Sequence, residues 1–63
     1  MVVYVLTENE ANEGGTVAGV YSTEEKAREA ITRLGERDGI FFWEILRVEV
    51  DDPSGEAVAL TLD

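Results

Sequence analysis

The stretch Tyr21-Ser22-Thr23-Glu24-Glu25-Lys26-Ala27-Arg28-Glu29-Ala30-Ile31-Thr32-Arg33-Leu34-Gly35 carries the start, the buried stripe and the stop of one helix. Ser22 and Glu25 stand at capping-box spacing. The Ser22 hydroxyl is placed to accept from the Glu25 amide, and the Glu25 carboxylate to reach back to the Ser22 amide. Ala27, Ala30, Ile31 and Leu34 recur at i, i+3, i+4 and i+7, an apolar stripe whose small alanines let a helix lie close to a sheet. Gly35 suits the left-handed position that ends a helix.

On the N-terminal side, residues 2–7 are β-branched and aromatic around one leucine, the composition of a strand buried on at least one face. Residues 8–15 are polar and acidic and close on Gly14 and Gly15, which adopt positive φ readily; they read as a hairpin connection to a second strand at 16–21. On the C-terminal side, a polar turn at 36–39 leads into a long strand at 40–50 that is apolar in both alternations: Ile40, Phe42, Leu46, Val48 and Val50 against Phe41, Trp43 and Ile45. The alternation falters at 44–47, which predicts a bulge or bend that turns Trp43 and Val48 toward the same core. Asp51-Asp52-Pro53-Ser54-Gly55 is a turn, and 56–62 is a last strand with Val58, Leu60 and Leu62 on one face. The expected fold is a single compact α+β domain over 1–63, in the order ββαββ. One helix packs on one face of a four-stranded, mainly antiparallel sheet, and the other face stays exposed.

The chain has 63 residues, with 14 Asp and Glu against 5 Lys and Arg, a formal charge of −9, no histidine and no cysteine. A domain this short buries only about 60% of its unfolded surface, so its core must be small. A 44% hydrophobic share sets it apart from disordered acidic tails. Without cysteine there is no disulfide or thiolate metal site, and without histidine the commonest metal ligand and general base are gone. Ser22, Ser54, Tyr4, Tyr21 and Lys26 are nucleophile types that only a carboxylate or the one lysine can activate. Residues 51–56 begin like a calcium loop but place Pro53 at the third ligand position and lack the closing bidentate glutamate. The expectation is no enzyme activity, no cofactor and no metal. The apolar run at 1–6 is far below the roughly 20 residues that span a bilayer, so no membrane association and a cytoplasmic location are expected.

The charge is unevenly spread. Residues 1–21 hold three acids (Glu8, Glu10, Glu13) and no base, 22–37 are balanced, and 38–63 hold seven acids against Arg47 alone. As alternate residues of a strand, Glu49 and Asp51 are expected to project from one face about 6.6 to 6.8 Å apart, close to two phosphate steps of DNA at about 3.4 Å each. An anionic array of this kind repels nucleic acid and is drawn to basic grooves. The partner-binding candidates are Glu44, Glu49, Asp51, Asp52 and Glu56, followed by Glu8, Glu10 and Glu13. The expected function is a non-enzymatic acidic binding protein, a DNA-mimic inhibitor that occupies a basic nucleic-acid-binding groove of a protein complex without binding nucleic acid itself. The alternative is a small acidic halophilic or structural domain whose charge serves solubility, as a monomer or a weak homodimer formed through a sheet face or edge. Phe41, Phe42 and Trp43 are consecutive and cannot share a face, so at least one is expected at the surface as an anchor for a protein partner.

Tyr4-Val5-Leu6-Thr7-Glu8, followed by the segment from Gly19 to Ala30 with its Gly-Val-Tyr-Ser-Thr-Glu-Glu-Lys-Ala core, resembles small ββα-type domains of phages and prokaryotes in which such a segment joins a strand to its helix. This likeness covers the first half of the chain and implies the fold. In size, acidity and absence of catalytic residue types the chain also resembles phage anti-CRISPR proteins that mimic DNA. That second likeness implies a basic partner complex, with a type I CRISPR Cascade among the candidates.

Overall fold

Four strands and one helix follow one another as β1 (Val2–Glu10), β2 (Gly14–Tyr21), α1 (Glu24–Leu34), β3 (Phe41–Glu49) and β4 (Ala57–Leu60) in a computed structural model that describes residues 1–11, 13–35 and 41–60. The strands form one sheet in the order β2-β1-β3-β4, every neighbouring pair antiparallel. The fold is therefore α+β. The 36–39 turn, Ile40 and Leu62 lie outside the described residues.

The helix begins one residue later than the capping-box spacing predicts. Thr23, extended at φ −138° and ψ 155°, is the N-cap, and its hydroxyl accepts from the Lys26 amide at 3.1 Å. Ser22 instead accepts from the Lys26 ammonium at 3.4 Å. With Thr23 as cap, Glu24 and Glu25 both fall in the first turn, where the positive end of the helix dipole favours carboxylates. Arg28 pairs with Glu24 one turn back at 2.6 Å. Gly35 ends the helix at φ 91°, donating its amide to the Ile31 carbonyl at 2.8 Å.

Leu6 and Ile45, directly opposite each other on β1 and β3, meet Ala27 and Ala30 of the helix, and all four are fully buried. Tyr4, Tyr21, Ile31, Trp43 and Leu60 pack around them. The two alanines explain the close approach, because neither carries a side chain that would hold the helix off the sheet. Leu34, expected in the stripe, is instead exposed. The end of the helix is held from the sheet by Trp43, whose indole N–H donates to the Gly35 carbonyl at 2.9 Å.

The bulge lies on a different strand from the one expected. β3 keeps an unbroken register against β1, from Val2 opposite Glu49 to Glu10 opposite Phe41. The shift falls in β2, where Leu6 pairs with Gly19 and Thr7 with Val17, so that Ala18 is the extra residue. Because the register of β3 is regular, Trp43 and Ile45 face the helix while Val48 faces away with Leu46 and Phe42. Trp43 and Val48 thus serve opposite faces. The two-sided apolarity of β3 reflects an interior strand with apolar residues on both faces, and no change of register is needed to explain it.

Candidate binding surfaces

β1 extends past Thr7 to Glu10, and Gly14 and Gly15 belong to β2, so the hairpin connection is short: the Glu13 amide donates to the Glu10 carbonyl at 3.0 Å, and Gly14 sits at φ 83°. This puts Glu8 and Glu10 on one strand, two residues apart, on the face that carries the helix. Together with Glu13, Asn9, Thr16 and Phe41 they line an open cleft of about 250 Å³ at the hairpin end of the sheet. Phe41, opposite Glu10 across the β1–β3 pair, is 42% exposed and supplies an aromatic wall. Three carboxylates and one exposed aromatic ring make a receptor suited to a guanidinium or ammonium group.

The other predicted carboxylates lie elsewhere. Glu49 ends β3 and accepts an ion pair from the N-terminal ammonium of Met1 at 2.9 Å. Asp51 is not the next residue of that strand: it takes a left-handed φ of 61° in the turn, so Glu49 and Asp51 do not project as alternate strand residues. Asp52 organises the turn, accepting from the Ser54 amide at 2.9 Å, while the Ser54 hydroxyl accepts from the Glu56 amide at 3.3 Å. Hydrogen bonds from the backbone and side chain of Ser54 hold the Asp52 carboxyl below its ordinary value of 3.8. Glu44 stands on the sheet face away from the helix, and its carbonyl accepts from the Thr7 hydroxyl at 3.3 Å.

The acids are therefore gathered at two ends of the sheet. Glu8, Glu10 and Glu13 occupy the hairpin end, and Glu49, Asp51, Asp52 and Glu56 the β3–β4 turn end. The nine residues of β3 separate the ends by about 27 Å at roughly 3.4 Å per residue. Glu44 belongs to neither group. Among the described residues, no group of three or more carboxylates converges closely enough to hold a metal ion, and no helix is long and apolar enough to cross a membrane. The consecutive aromatics divide as their alternation requires: Phe41 in the cleft, Phe42 48% exposed on the opposite face, and Trp43 half-buried against the core. Sequence reading missed that Phe41 joins the hairpin carboxylates. The strand pairing that brings residues 10 and 41 together leaves no local trace in either segment.

Residues 1–56 match a family model described as a domain of unknown function, DUF7336. No curated protein and no solved structure matches the chain.

Proposed function

This chain belongs to the DUF7336 family, and we propose that it is a non-catalytic, cytoplasmic binding protein that takes basic side chains of a protein partner into its hairpin-end cleft. In its specific form the proposal is a DNA-mimic inhibitor: the partner surface is a groove that otherwise holds nucleic acid, with a type I Cascade complex as the first partner to try. The observation that carries the reading is the convergence of Glu8, Glu10 and Glu13 with the exposed Phe41 in one cleft. Glu8 and Glu10 are alternate residues of β1 and lie about 6.8 Å apart along the strand, close to two phosphate steps of DNA. An arginine of the partner finds carboxylates for its fork and a ring against which to stack. The acids of the turn end, about 27 Å away, add a second anionic region, and the net charge of −9 draws basic partners in from a distance.

The test is competition. Labelled duplex DNA is bound to a basic complex such as Cascade, and the protein is titrated in at two salt concentrations. The expected result is displacement of the DNA, weakened by added salt and lost in the Glu8→Lys, Glu10→Lys double variant. Displacement that survives the charge reversal with an unchanged salt slope would sink the reading, and so would failure to capture any basic partner.

A further inference from the structure

We infer that the open face of the sheet docks a second copy of the same chain. The helix covers one face, and among the described residues no element lies on the other. Strand register lays Val20, Val5, Leu46 and Ala59 in one row across all four strands of that face, with Val3 and Val48 in the row beside it. Further along, Val17 is 64% exposed and Val20, at the β2 edge, 59%. Among the described residues, Glu44 is the one charged side chain that strand register puts on this face. A strongly basic partner therefore finds almost nothing to pair with here, whereas a like face offers the same flat, valine-rich surface. Two such faces pack at about 10 Å with their side chains interlocking.

The areas agree with this occupant. The open face spans roughly 27 Å along β3 and about 19 Å across four strands counted with their own width, a footprint of about 500 Å². Two copies face to face bury roughly 1,000 Å², the lower bound for a specific interface, so the dimer is weak and reversible. A two-fold axis through the face makes it self-complementary. The sheet edges are poorer candidates: β2 is broken by its bulge, and the described part of β4 is four residues long.

Each copy carries −9, and a chain 18 Å thick brings the two charges close in a face-to-face pair. Their repulsion is damped as the screening length falls from about 10 Å at 0.1 M salt to about 3 Å at 1 M. Association through this face therefore tightens with salt, at least tenfold over that range by the Coulomb energy of the two net charges. Binding of a basic partner in the cleft weakens with salt. The two proposals thus fail separately, and this one does not rest on the other.

The experiment is sedimentation equilibrium from about 10 μM to about 1 mM protein, where a weak dimer populates by mass action, at about 0.1 M and about 1 M NaCl. The expected result is a mass that rises toward the dimer with concentration and does so earlier in high salt. Val20→Lys is expected to weaken association at least tenfold even though it lowers the repulsive charge. Val58→Lys, the same change at a valine 54% exposed on the helix side of β4, is expected to leave it unaltered. Circular dichroism checks folding, and Val17→Lys repeats the test if Val20→Lys does not fold. A monomer throughout, a dimer loosened by salt, or equal losses for Val20→Lys and Val58→Lys would overturn the inference.

Discussion

Leu6→Ala removes the central side chain of a core with four fully buried members among the described residues. Three carbons leave an apolar site, a transfer loss of about 2.4 kcal/mol at roughly 0.8 kcal/mol each. The cavity adds to this, because the neighbours have little length with which to fill it. Gly19, paired with Leu6 on β2, has no side chain, and Ala27 and Ala30 end at Cβ. The total is expected at about 4 kcal/mol, in the upper part of the range for buried leucines. A domain of this length is stabilised by only about 3 to 9 kcal/mol, so the variant keeps at most about 5 kcal/mol and is unfolded at the lower end of that range. Urea unfolding followed by Trp43 fluorescence is the assay, since the indole is bonded to the end of the helix and reports its docking. With a urea slope of about 1 kcal/mol per molar, the midpoint should fall by roughly 3 M or more. Val58→Ala is the control and should move it by less than about 0.5 M, as expected of a surface site. A Leu6→Ala shift below about 1 M would refute the reasoning, for it would mean that the sheet and helix do not close on Leu6.

Capping by Thr23 predicts that Thr23→Ala lowers stability by about 1 kcal/mol while Ser22→Ala costs less than half of that, measured by thermal or urea unfolding; equal costs would restore the cap to Ser22. A methyl on Gly19 would lie 2.6 Å from the Tyr21 hydroxyl oxygen, so Gly19→Ala should swing that ring away and cost about 1 to 3 kcal/mol, with a changed Tyr21 ring environment in the NMR spectrum. Ser54→Ala should raise the Asp52 pKa toward its ordinary value without fully restoring it, because the backbone bond remains. Since that pKa is depressed in the folded chain, the turn's contribution to stability is present above the unfolded value and is lost as pH falls through the folded one; NMR titration of the Asp52 carboxyl checks both points. Glu49→Gln removes the partner of an exposed terminal ammonium and should change stability by less than about 0.5 kcal/mol.

Local signals were legible and pairings were not. The helix was readable from Ala27, Ala30 and Gly35, each of which acts within a turn of its own position. Its start was misplaced by one residue because Ser22 and Thr23 are both good caps, and the choice rests on which hydroxyl meets an amide in three dimensions. The uneven alternation of β3 pointed to a bulge there. The irregularity sits in β2 because glycines at 14, 15 and 19 leave that edge strand free to absorb it. The acids were readable as a count but not as a surface. Glu49 and Asp51 looked like strand neighbours until the left-handed turn at Asp51 separated them. Glu10 and Phe41, which do meet, are distant in the chain and are joined only by the β1–β3 register.

The measurement that bears most directly on the central claim is a titration of the isotope-labelled protein with an arginine-rich peptide at low salt, followed amide by amide. The account predicts the largest shifts at Glu8, Glu10, Glu13, Thr16 and Phe41, reversed by added salt and abolished in the Glu8→Lys, Glu10→Lys variant. Shifts centred on Asp51, Asp52 and Glu56, or spread evenly over the helix and sheet, would contradict it.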